Sequence, residues 1–201
     1  MTTLLQINAS IHEANGQSSQ LANQFVAAFR RSQPDAKVVL RDVAVSDPVP
    51  HLTAERFSAF IAKPEERSDA QHAVVAYSDS LIKELQEADV IVLGLPMYNF
   101  GVPSQLKAYF DHISRAGVTF KYTDKGPVGQ LTGKKAYVFA ARGGLYAGSP
   151  LDTQTSYVRD FLRFIGIGAV EFVYAEGLHL GPQSKEAGLA KAAADIARLV
   201  A

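Results

Sequence analysis

The segment DVIVLGL, Asp89–Leu95, is apolar from its second residue to its last. A strand with no polar side has to be covered on both faces, as happens in a parallel sheet sandwiched between helices. Four more short runs read as strands: LLQIN (Leu4–Asn8), KVVLRD (Lys37–Asp42), KAYVFAA (Lys135–Ala141) and AVEFVYA (Ala169–Ala175). Helical patterns separate them. Leu21, Phe25, Val26 and Phe29 form one stripe between Ser18 and about Arg31. Ser68 and Gln71 have capping-box spacing ahead of a helix running to about Ala88. Pro103 suits the first position of a helix that turns Leu106, Phe110 and Ile113 inward. Asp152 caps a helix through about Ile165, and Lys185–Val200 is an Ala-rich helix. Five strands alternating with five helices predict an α/β fold, a doubly wound parallel sheet in one domain spanning residues 1–201.

Two connections are longer than plain turns. Val43–Arg67 contains the amphipathic piece LTAERFSAFI, and Ala116–Lys134 contains the alternating TFKY, which reads as a small hairpin. The 20 basic and 20 acidic residues cancel, so no long-range field draws the chain to nucleic acid or an anionic membrane. There is no cysteine, which excludes thiolate nucleophiles and Cys-based metal sites. No apolar run approaches the ~18 residues of a membrane span. The N-terminal MTTLLQINAS has neither the basic start nor the apolar length of a signal peptide, so the expected location is the cytoplasm.

Open parallel sheets bind ligands beyond the carboxyl ends of their strands. That rule selects three stretches. After the first strand come Ser10, Gly16, Gln17, Ser18 and Ser19, just before a helix whose N–H groups suit a phosphate. The stretch has no Lys or Arg, so it is neither a Walker loop nor a GxGxxG turn, and a plain Ser-rich helix cap is the simpler reading. After the third strand come Pro96, Met97, Tyr98, Asn99 and Phe100; two aromatics flanking an amide could stack on a planar ring and read its polar edge, or fold into the core. After the fourth come Ala141, Arg142, Gly143 and Gly144, where glycines let backbone approach a ligand. Together they describe a site for a phosphate attached to a flat polar ring, which flavin mononucleotide (FMN) fits. His12, His112 and His179 have no metal-ligand spacing and read as structural or solvated.

The stretches PMYNF (96–100), SQLKAYFDHISRAGVTFKYTDKGPVGQLTGKKA (104–136), RGG (142–144), FLRFIG (161–166) and FVYAEGL (172–178) resemble the bacterial FMN-dependent NADH-azoreductases, which are also NADH:quinone oxidoreductases. The resemblance implies a flavodoxin-like three-layer sandwich with helices on both faces of a five-stranded sheet, order 2-1-3-4-5. It implies a homodimer with one FMN per subunit and NADH, or NADPH, as donor. Ser10, Gly16, Gln17 and Ser18 would hold the phosphate end. Pro96, Met97, Tyr98, Asn99 and Phe100 would line the ring, and Ala141, Arg142, Gly143 and Gly144 its pyrimidine side. Many relatives carry Ser at Gly16 and Ala141.

In this reading no acid–base residue carries the reaction: hydride passes from NADH to flavin N5, and a quinone or azo compound then takes the same place. Phe100, Phe120, Tyr122 and Phe164 are candidate walls of the substrate slot, with core packing as the alternative for Phe120 and Phe164. Arg142 would place positive charge near the ring, or form a surface salt bridge. The helix after Asp152 carries two stripes, Tyr157/Phe161/Phe164 and Val158/Leu162/Ile165, and the second is expected to meet another subunit. Two rival readings remain, a flavodoxin-type electron carrier without intrinsic NADH oxidation and an FMN-free regulator. Carriers of that type are typically acidic, and this chain is neutral.

Overall fold

β3 (Val90–Pro96) lies at the middle of a five-stranded parallel sheet, as its apolar run requires. The computed structural model describes residues 1–200. β1 (Thr3–Asn8) and β2 (Lys37–Asp42) extend the sheet to one side, β6 (Lys135–Ala141) and β7 (Ala169–Ala175) to the other. The spatial order is β2-β1-β3-β6-β7. The labels depart from the expected 2-1-3-4-5 because β4 (Phe120–Thr123) and β5 (Gly126–Gly129) intervene in the chain as a separate antiparallel hairpin.

Alternation along the strands sends side chains to two cores. Leu4, Val92, Phe139 and Val173 meet α1 (Gln17–Ser32) and α6 (Pro182–Leu199). Leu5, Ile91, Leu93 and Val138 meet α3 (Asp69–Glu87), α4 (Ser104–Ile113) and α5 (Thr153–Phe164). Full burial of each such side chain contributes about 1.5–3 kcal/mol. The Ser68–Gln71 capping box forms as expected.

Several boundaries differ from expectation. The amphipathic piece in the first long connection makes a sixth helix, α2 (Ala54–Ile61), capped by the Thr53 hydroxyl. Pro103 is the N-cap of α4 rather than its first residue. α6 starts at Pro182, ahead of the expected Lys185, because Gly181 at φ 110° turns the chain and Pro182 suits the first helical turn. On α5 the two stripes are exchanged. Val158, Leu162 and Ile165 are buried in the protomer's own core, so they cannot meet another subunit. Tyr157, Phe161 and Phe164 form the half-buried stripe, with Phe161 stacked on Phe110 at 4.0 Å between ring centroids and Phe164 against Phe120 at 4.4 Å. The hairpin docks on the end of α5, where Leu131 N–H donates to Ile165 C=O (2.9 Å). Gly129 has no side chain there, and Ile165–Gly166 backbone fills the space a Cβ would take.

Candidate active site

At the carboxyl end of β1 the chain turns through Ser10–Asn15 and enters α1 from Gly16. Gly16 has ordinary extended angles (φ −66°, ψ 137°), so it is the absence of a side chain that matters: a Cβ would collide with the Ser10 side chain. Gly94 of β3 does the same from below, since a Cβ would lie 3.0 Å from Asn8 Oδ1 and 3.2 Å from Ser18 O. The first turn of α1 therefore lies directly on the sheet. It has no side-chain cap, so its leading N–H groups are free to meet an anion at the positive end of the helix dipole. Within that turn the hydroxyls of Ser18 and Ser19 are buried, and among the described residues they have no hydrogen-bond partner. Buried polar groups seldom stay unpaired in a native protein.

Beyond β3, Met97 N–H donates to Ala141 C=O (3.1 Å) and prolongs the strand. A tight two-residue turn follows. Tyr98 N–H donates to Gly101 C=O (3.1 Å) and Gly101 N–H to Tyr98 C=O (3.0 Å), with Asn99 at φ 49° and Phe100 at φ 66° between them. Two left-handed residues in succession match the twist of a tight hairpin. For Phe100 that conformation costs about 1–2 kcal/mol, the kind of local strain that clusters at functional sites. The Tyr98 hydroxyl accepts from Ile11 N–H (3.2 Å) and lies 3.5 Å from Ser10 Oγ, tying this lip to the first loop. The Phe100 ring is 49% exposed and stands edge-on to Tyr146, with centroids 5.6 Å apart.

After β6, the Arg142 side chain is fully buried, neither a surface salt bridge nor a free charge at the site. Its guanidinium pairs with Asp152 (2.9 Å) and Glu176 (3.2 Å), donates to Thr155 (2.9 Å) and lies over Tyr174, 5.0 Å from the ring centroid. Burial pushes the Asp152 carboxyl up, but hydrogen bonds from Arg142 and Thr155 and the arginine's charge outweigh it and hold it below the ordinary carboxylate value. The positive charge expected near the ring is thus offset by two carboxylates. Glu176 also accepts from Tyr146 and Ala147 N–H (2.9 Å each), which folds the Gly-Gly loop back. Arg142 N–H is spent on Ala175 C=O, whereas Gly143 and Gly144 N–H have no partner among the described residues.

The three loops enclose a cavity of about 170 Å³ lined by Ser10, Gly16, Gln17, Ser18, Pro96, Met97, Tyr98, Ala141, Arg142 and Gly143, all expected there. Asn99, Phe100 and Gly144, also expected there, are next in the chain to lining residues but do not themselves line this cavity. Phe120, Tyr122 and Phe164 do not reach this cavity within one protomer. Phe120 is buried and Tyr122 is 74% exposed on the hairpin. His12, Leu178, His179 and Lys185 complete the lining. Lys185, from the first turns of α6, supplies the cation that the Ser-rich loop lacks. Its only signal in the sequence is its place after the last strand of a doubly wound sheet. A Cβ on Gly143 would lie 2.7 Å from His179 Nδ1, so the loop and that histidine pack closely. A larger groove, about 570 Å³, runs between α2 and α3. It is lined by Glu55, Arg56, Gln71 and Tyr77 among others, and no residue of the three loops lines it. The described residues contain no cluster of potential metal ligands.

A doubly wound sheet with a cavity where the β1, β3 and β6 loops meet defines a flavodoxin-like protein. The chain belongs to the family described as having a flavodoxin-like fold, which matches residues 2–200. Among its relatives, an FMN-dependent NADH:quinone oxidoreductase of Cellvibrio japonicus is 56% identical over 191 residues, covering 95% of this chain and 96% of that protein. One of the same description from Burkholderia lata is 54% identical over 197 residues, covering 98% and 99%. The crystal structure of an azoreductase from Bacillus anthracis superposes with a TM-score of 0.91 at 29% identity, covering 100% of this chain and 99% of that one.

Proposed function

We propose that this chain is an FMN-dependent NADH:quinone oxidoreductase that also cleaves aromatic azo compounds, acting as a single-domain homodimer in the cytoplasm, where NADH is available. The observation that carries the reading is the uncapped start of α1 with the buried Ser18 hydroxyl, which has no partner among the described residues, facing the Pro96–Tyr98 and Ala141–Gly143 loops across one cavity. A phosphate monoester fits the first, and a flat ring with polar edges fits between the other two. The relatives above, similar over nearly their whole length, support the same reading.

FMN, when bound, supplies the redox chemistry, taking hydride from NADH and passing two electrons to the acceptor. The protein binds and orients. Gln17 and Ser18 N–H and the Ser18 hydroxyl hold the phosphate, with Lys185 nearby. Gly143 and Gly144 N–H, without partners among the described residues, would meet the ring's polar edge together with Asn99. Phe100 presents its exposed ring to the slot that donor and acceptor occupy in turn. The hairpin aromatics that do not reach the cavity in one protomer, Tyr122 foremost, close the slot over the partner's flavin.

The purified protein should be yellow and should oxidise NADH with menadione in the absence of any other protein. A coloured protein that leaves NADH unconsumed would be an electron carrier instead. A colourless one that gains neither colour nor thermal stability from added FMN would defeat the flavoenzyme reading altogether.

A further inference from the structure

We infer that Gln154 is a positioning residue for the acceptor slot, holding the strained Asn99–Phe100 lip in place from behind. The inference rests on the flavin reading above. Gln154 is 1% exposed and does not line the cavity. Its amide spends both hydrogens on the two ends of the lip, one on Pro96 C=O (2.9 Å) and one on Gly101 C=O (3.1 Å). Its carbonyl oxygen faces Arg142 Nη2 at 3.4 Å. The flanking residues act in concert. The Thr153 hydroxyl donates to Phe100 C=O, and Asp152 holds Arg142 (2.9 Å) while capping α5 through Thr155 N–H (3.0 Å).

Three successive residues at the start of α5 thus grip four points, Arg142, Phe100, Pro96 and Gly101. The need for a grip is set by the backbone. Phe100 sits at φ 66° and Asn99 at φ 49°, conformations that relax unless their surroundings over-determine them. The turn's own two hydrogen bonds fix its shape, but nothing in them fixes its direction relative to the sheet. The Gln154 bonds to Pro96 and Gly101 do, because Pro96 belongs to β3 and Gly101 closes the turn. A side chain in this role must donate twice from one planar group at short reach, which Gln does and Glu, ionised, does not.

The test compares Gln154→Leu, Gln154→Glu and Thr153→Val with the wild-type holoenzyme. For each, the menadione KM and kcat, the visible circular dichroism of the bound flavin and the thermal midpoint are measured. Losing the donor pair should raise the menadione KM about tenfold, the equivalent of one net hydrogen-bond pair. The kcat should stay within about twofold, and the flavin dichroism should change. Gln154→Glu keeps the size and shape and should behave like Gln154→Leu. Thr153→Val, at an exposed position, should move KM in the same direction by a smaller factor. A lowered thermal midpoint with wild-type KM and flavin dichroism would assign Gln154 to packing alone and overturn the inference. So would a Gln154→Glu variant with wild-type KM. Should Gln154→Leu not fold, an unchanged KM in Thr153→Val overturns it. A wild-type chain that takes up no FMN sinks the flavin reading and this inference with it, whereas normal wild-type flavin content with silent variants sinks this inference alone.

Discussion

Asn99 and Phe100 share one strained turn but have separable tasks. Asn tolerates left-handed backbone better than most residues, so Asn99→Ala adds strain and, in the proposed reading, removes the amide that would read the ring's polar edge. We expect it to weaken FMN retention about tenfold, measured by titrating the apoprotein. Phe100→Ala removes the exposed ring and should change the ratio of kcat/KM values between quinones while leaving flavin content near wild type. The sequence made these residues suspects through their place after a buried strand. It could not show the turn, because left-handed φ at Phe is a property of what surrounds it: Thr153 and Gln154 lie more than fifty residues away in the chain. Gln154 and Glu176 were invisible for the same reason, and nothing about a Gln in a helix announces that its amide will be buried. That Ser10, Gly16, Gln17 and Ser18 would line a cavity was legible, since topology puts the loop after the first strand at the carboxyl edge of the sheet.

α5 shows where reading elements from a pattern runs out. Two apolar stripes on one helix gave no local sign of which would face the sheet. The packing selects Val158, Leu162 and Ile165. Leu162→Asp or Ile165→Asp would therefore leave an unpaired charge in the protomer core and should give insoluble protein. An active monomer is not the expected product of either. If the proposed homodimer uses the hairpin, Tyr122, exposed on it, probes the assembly: Tyr122→Glu should keep the fold, shift the population toward monomer in sedimentation, and cut quinone reductase activity at least tenfold. Also at this scale, Arg142 staples β6, α5 and the segment after β7. Arg142→Ala strands Asp152 and Glu176, and removing one partner from a buried cluster costs about 3–5 kcal/mol. Denaturant titration should show that loss.

At the scale of the whole molecule, His112 links the first long connection to the helical layer. It is fully buried, and its Nε2–H donates to Pro50 C=O (3.0 Å) while Nδ1 has no partner among the described residues. Burial lowers its pKa, against the opposing pull of the Pro50 carbonyl. A histidine depressed in the folded state binds its proton more readily when unfolded. Its contribution is complete above the ordinary value of 6.5 and is lost as pH falls from there toward the folded value. Thermal midpoints should accordingly drop between neutral and mildly acidic pH, and His112→Phe should flatten that part of the profile. A second loss should follow only near and below the ordinary carboxylate value of 3.8, when Asp152 takes up its proton. The gross architecture was legible because strand and helix periods alternate cleanly. The start of α6 was not, since Pro182 and Gly181 act through backbone angles rather than pattern.

The gripped turn at Tyr98–Gly101 also bears on timing. Closed at both ends by its own hydrogen bonds and held from behind by α5, it has no hinge about which to swing. It should behave as a fixture on the microsecond-to-millisecond scale on which lids open and products depart. Whatever limits turnover, exchange of one planar molecule for the next should not wait on this side of the slot. Relaxation-dispersion spectra should find the lip quiet.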